Sequence, residues 1–128
     1  MSNFDRYYVN TLKERYADFQ GRARRSEFWY FYLFYVLIII GSSFSLSMLK
    51  ESLALTVTMI LVFAHVLPLF SVVVRRLHDT NRSGWWFFIS LIPVIGTLLL
   101  IAFLVQDSVE GENEWGPNPK YDDDIYEL

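Results

Sequence analysis

Two stretches of this chain, residues 53–74 and 83–106, carry no Lys, Arg, Asp or Glu, and they constrain the fold more than any other feature. At about 1.5 Å per helical residue, each is long enough to cross roughly 30 Å of hydrocarbon. A third charge-free run, 28–49, precedes them, and a chain of 128 residues has no soluble core that could hide all three. The hydrophobic share of 53% is high for so short a chain and agrees. The expected fold is therefore all-α: an integral membrane protein with three transmembrane helices preceded by an amphipathic N-terminal helix. Its expected organisation is an amphipathic and basic segment 1–27, a three-span domain 28–106 with a basic loop 75–82, and an acidic, turn-rich tail 107–128.

The net charge of −3 hides a strong asymmetry. Residues 1–27 hold six basic and four acidic side chains, whereas residues 107–128 hold one and eight. There is no cysteine, hence no disulfide framework, no thiolate nucleophile and no Cys-based metal site. No internal repeat is visible. No nucleic-acid partner, metal or cofactor is expected.

Phe4, Tyr8, Leu12, Tyr16 and Phe19 recur every three or four residues, which predicts a helix from Phe4 to Gln20 with an aromatic face. Asn3 is its expected N-cap and Gly21 its stop. No signal-peptide pattern is present, so the N-terminus is expected to be kept. Arg22, Arg24 and Arg25 then lead into Phe28, Trp29, Tyr30, Phe31 and Tyr32. Cations followed by aromatics suit a membrane interface, where guanidiniums stay in water and rings occupy the headgroup layer.

In the far half of the first span, Gly41/Ser45 and Ser43/Ser47 permit close helix approach. Lys50 and Glu51 form a short turn, so the first two spans should be antiparallel neighbours. In the second span Pro68 removes the N–H that would bond Ala64, leaving that carbonyl free and predicting a kink at 64–68. His65 beside it is either a proton relay or ligand, or a structural imidazole bonded to a neighbouring helix.

The basic loop gathers Arg75, Arg76, His78, Asp79 and Arg82 ahead of Ser83, Gly84, Trp85 and Trp86. Arg75 and Arg76 suit the negative end of the second helix, and Ser83 suits the N-cap of the third. Three guanidiniums, the imidazole and the N–H groups from Gly84 to Trp86 would make an anion site at headgroup level. The adjacent His78 and Asp79 invite a catalytic reading, yet no serine-nucleophile motif accompanies them.

Pro93 and Gly96 interrupt the third run. As one kinked helix, 85–105 spans the hydrocarbon and places the acidic tail on the opposite side from the basic loops. As a re-entrant hairpin it would reach about halfway and return the tail to the arginines, but its turn would need protein cover for unpaired backbone groups. The full span is the expected form. The tail matches an EF-hand loop only in composition, and 120–128 are expected to be disordered.

The stretch 19–25 leading into Phe28 and Trp29, the Arg75-to-Trp86 block, 93–96 and 111–119 together resemble small bacterial inner-membrane proteins catalogued as domain of unknown function 805. The resemblance covers about residues 19–120. It implies a bacterial plasma-membrane protein of about three helices and supplies no catalytic residue, substrate or cofactor. Where relatives more often have Tyr or Phe, this chain has Trp115.

Three function classes follow. The first is a non-enzymatic membrane protein whose basic surface binds anionic lipid or a partner, a second copy or another membrane protein. The second is a small transporter, channel or proton-conducting element using His65. The third is an enzyme acting on lipid headgroups through His78, Asp79 and the arginines. Lys and Arg counts place the N-terminal segment and loop 75–82 in the cytoplasm.

Overall fold

Residues 2–121 are described by a computed structural model, and every regular element among them is helical. A π-helical turn, Phe4–Val9, runs into α1 (Asn10–Glu14); α2 (Arg25–Ser47) and α3 (Glu51–Asp79) follow, then a 3-10 segment, Gly84–Leu91, and α4 (Ile95–Val105). The charge-free runs inside α2 and α3 let the two helices pack side by side. The turn joining them closes on the Leu46 carbonyl, which accepts the N–H groups of Leu49 and Lys50 at 3.0 Å. Both helices are long and apolar enough to cross a membrane.

Pro68 sits inside α3, which continues through it as one helix. The Ala64 carbonyl it deprives of a partner accepts the Tyr16 hydroxyl at 2.5 Å. The N-terminal segment thus repairs the backbone of α3. That segment is shorter than its periodicity suggests, because helix ends at Glu14 and the chain then lies across α3. Ser71 Oγ bonds the Pro68 carbonyl at 2.9 Å and reaches the Arg15 carbonyl at 3.3 Å. Asn3 makes no capping bond; the Ser2 hydroxyl accepts the Asp5 N–H instead, at 3.1 Å. The buried residues are Tyr8 of the aromatic stripe with Tyr7 and Thr11, each one position before a stripe residue.

The third apolar run is not a single helix. It folds back on itself, with the 3-10 segment as one arm and α4 as the other. At about 2.0 Å per residue for eight 3-10 residues and 1.5 Å for eleven α residues, each arm is roughly 16 Å long. The arms touch where Gly96 passes Ile89: a Cβ on Gly96 would lie 1.8 Å from the Ile89 carbonyl oxygen. Much of the backbone of the turn is bonded locally: Gly96 N–H bonds Ile92 O at 3.1 Å and Leu98 N–H bonds Val94 O at 3.0 Å. Val94 is bent to φ 63° between them, a sterically expensive conformation for a β-branched residue.

Both ends of this hairpin are held beside the end of α3. Gly84 rests against Val74, and the backbone of Gln106 accepts from Arg76. The acidic tail therefore lies at the same end of the molecule as loop 75–82, which corrects the expectation that a full span would separate them. The tail is folded, with Asn113 and Gly116 exchanging backbone bonds at 3.0 Å and a 3-10 turn at Pro119–Tyr121. This includes the first two residues of the expected disordered stretch; 122–128 lie outside the described residues. The shared core, with Ala23, Phe28, Phe31, Val72, Leu77, Leu100 and Leu104, sits under this end.

Candidate functional site

The end of α3 and its cap form ten consecutive buried residues, 71–80, and the charges among them are neutralised inside the protein. Asp79 is the hub. Its carboxylate accepts from Arg22 Nε at 3.0 Å, Arg76 Nη1 at 2.5 Å and the Ser108 hydroxyl at 2.5 Å, with both its side chain and that of Arg76 fully buried. Each arginine then uses its remaining donors on the C-terminal chain. Arg76 Nε donates to Leu104 O at 3.0 Å and Nη2 to Gln106 O, the free carbonyls at the end of α4. Arg22 donates to Val109 O at 2.6 Å and Gly111 O at 2.8 Å. Val109 N–H returns to Asp79 O at 3.0 Å. One aspartate therefore ties residue 22, the end of α3, the end of α4 and the tail.

Burial pushes the Asp79 carboxyl above the ordinary aspartate range, while Ser108 and the two guanidiniums pull it back down. Burial also lowers Arg76, against the opposing pull of Asp79. At the surface nearby, Lys120 donates to Asp107 at 2.9 Å and holds that carboxyl below its usual range.

A second buried cluster lies beside the first. Glu27 Oε1 accepts from Arg75 Nη1 and, at 3.4 Å, from Arg15 Nη1, while Arg75 Nε donates to Asp18 O at 3.0 Å. This cluster fixes the N-terminal segment to α2 and α3. Its packing is less complete, since Glu27 Oε2 and Arg75 Nη2 are buried without a protein partner.

His78 lies under Trp115, rings 4.6 Å apart and nearly parallel. Its Nδ1 donates to Gly21 O at 2.9 Å, and burial holds the imidazole below the ordinary histidine value. Its carbonyl accepts from Asn113 at 2.9 Å. Adjacent in sequence, His78 and Asp79 serve different contacts.

The expected anion site is not assembled as drawn, because Arg75 and Arg76 turn into the protein. Arg82 lies over the Phe103 ring at 4.0 Å and donates to the Gln106 side chain at 2.8 Å. Ser83 makes no capping bond. Trp85 and Trp86 are exposed, and Gly84 is the close contact with Val74. Arg24 donates to the Tyr7 hydroxyl at 2.6 Å. Arg25 has a half-exposed side chain, 51%, and a loose 3.6 Å pairing with Asp107. Below it opens a cleft of about 300 Å³ lined by Trp29, Tyr30 and Leu33.

His65 is buried with both ring nitrogens engaged. Nδ1 donates to Leu61 O at 2.7 Å, which leaves Nε2 to accept the Tyr8 hydroxyl at 2.7 Å. Phe31 and Tyr35 close around it.

The residues in these two ionic clusters span 15 to 108, and a protein family described as "Protein of unknown function (DUF805)" matches residues 16–117. The chain belongs to this family. It is 43% identical over 124 residues to inner membrane protein YhaH of Escherichia coli K12, covering 89% of this chain and 96% of that protein. It is 38% identical over 116 residues to inner membrane protein YhaI of the same organism, covering 90% and 96%. No solved structure matches. In this DUF805 chain, then, the Arg-Arg-Leu-His-Asp block is spent chiefly on internal pairing.

Sequence reasoning missed Glu27 and Ser108 as members of these clusters. The signal for Glu27 was present. It is the only carboxylate between Gln20 and the first apolar run, in a segment with three arginines, and it precedes a helix core where an unpaired charge is costly.

Proposed function

We propose that the chain is a non-enzymatic two-span protein of the bacterial inner membrane, whose accessible basic rim binds anionic lipid headgroups. The N-terminal segment, loop 75–82 and the acidic tail share the cytoplasmic side, with Lys50 opposite. Supporting the location are two helices long enough to cross and relatives that are themselves inner membrane proteins. Supporting the side is the excess of Lys and Arg at that end. A non-catalytic reading is supported by the fate of His78 and Asp79, both committed to packing.

The observation that carries the lipid reading is Arg25 above its cleft. A half-free guanidinium sits over an open, largely apolar cleft lined by Trp29, Tyr30 and Leu33, matching a phosphate over an acyl chain. One such charge is worth about 1 kcal/mol near the surface, roughly five-fold in occupancy. Native mass spectrometry of the purified protein tests it. Arg25→Gln should lose about five-fold of its anionic relative to zwitterionic copurifying lipid, with Arg25→Lys losing less. An unchanged lipid complement in Arg25→Gln refutes this reading.

A further inference from the structure

The two halves of the helix pair differ in girth. At the end that carries the ionic clusters, α2 and α3 are flanked by the 3-10 arm, by α4 and by the N-terminal segment. At the other end, among the described residues, they stand alone, and Ile40, Phe44, Leu55 and Ile60 face outward. The hairpin stops halfway because its arms are roughly 16 Å long against about 30 Å of hydrocarbon, with both outer ends tied by Arg76, Arg82 and Val74. Its tip is built for lipid: Leu91 is 75% and Val94 71% exposed, and the tip backbone bonds locally.

We propose that this half-depth hairpin makes the protein a wedge, and that its preferred partner is a curved lipid surface, convex on the side that holds the N- and C-terminal segments. The argument is one of leaflet area. A helix with its side chains is about 10 Å across, so the hairpin alone adds about two helix cross-sections to one leaflet and none to the other. The N-terminal segment enlarges the same half, packing Phe4 on Phe34 and bonding Tyr8 to His65. A bilayer bent to be convex on that side opens the crowded leaflet and relieves the mismatch. The inference rests on the two-span reading above and is independent of which headgroup Arg25 contacts.

The test is reconstitution of the full chain into small, highly curved vesicles and large, nearly flat ones of one lipid composition. Flotation first checks insertion, and protease access at Lys13 sorts the two orientations. Molecules with their broad half on the outer leaflet should be several-fold denser per lipid in the small vesicles, and those in the reverse orientation should be depleted. Protein that fails to float with vesicles refutes the two-span reading itself. Floating protein at equal density in both vesicle sizes overturns the wedge alone. A spin label at Val94→Cys gives a second readout, expected at the bilayer centre; a label exposed to water on the face opposite Lys13 overturns the proposal. So does efficient cross-linking of Ser45→Cys between two copies accompanied by equal densities, because a second chain would then fill the narrow half.

Discussion

From Ser71 to Thr80, the end of α3 and its cap, every residue is buried, four of them ionisable and two hydroxyl-bearing, whereas from Ser52 to Ile60 only Ala54 is buried. The first region is fixed by directed bonds, since Asp79 alone accepts from three side chains and each of its arginine partners reaches further carbonyls. In the second region the contacts are between two helices and whatever surrounds them. The difference teaches that one end of this protein specifies the fold, and the other supplies length. Removing one partner from the first should therefore be costly, and equivalent changes in the second nearly silent.

The largest effect is expected at Asp79. Asp79→Ala leaves Arg22 and Arg76 buried without their carboxylate, and breaking such pairs costs about 3–5 kcal/mol. Thermal unfolding in detergent should show a large drop in Tm, with the tail becoming protease-sensitive. A Tm equal to that of the parent would break the comparison.

Glycines provide the next contrast. Gly96→Ala places a methyl group on the Ile89 carbonyl and should cost about 3 kcal/mol by forcing the arms apart. Gly41→Ala meets nothing within 4 Å and should stay within about 0.5 kcal/mol, or stabilise α2 slightly. Parallel unfolding curves for the two variants check both.

Much of this was legible in the residues. The charge-free runs marked α2 and α3, and Pro68 announced a free carbonyl at Ala64. The sequence could not announce that Tyr16, 48 positions away, would bond it. The third run misled because length and apolarity are the same for a span and for a folded hairpin. Pro93 and Gly96 were the discriminating letters, but the decisive physics is local: Val94 adopts positive φ, and the tip bonds much of its own backbone. The arginines were read as phosphate ligands because basic residues near a membrane usually are. Glu27 and Asp79, single acids within basic segments, were the sign that the cations pair inward.

Tyr16→Phe sharpens the comparison within α3. It removes the donor to Ala64 O and should cost about 1–3 kcal/mol if that carbonyl finds no other partner. Tyr32→Phe, whose exposed ring lies on α2, serves as control and should leave Tm unchanged.

A smaller effect is expected from pH. Burial, with Arg75 nearby, lowers His78, and the Gly21 bond and Glu114 oppose it. Below about pH 6.5 the unfolded chain takes up a proton that the folded chain resists. The contribution of His78 is thus fully present above that pH and is lost as pH falls through the lower folded value. Unfolding midpoints measured from about pH 7.5 down to about pH 5 should decline in the parent and decline less in His78→Gln.

The central claim is that the third apolar run returns to the side it left, bringing the tail back to Arg22, Arg76 and Asp79. Because the chain has no cysteine, single variants Lys13→Cys, Lys50→Cys and Glu112→Cys can be probed with a membrane-impermeant thiol reagent on intact cells and on opened ones. The account predicts that Glu112→Cys labels under the same conditions as Lys13→Cys and opposite to Lys50→Cys. Glu112→Cys labelling together with Lys50→Cys would contradict it.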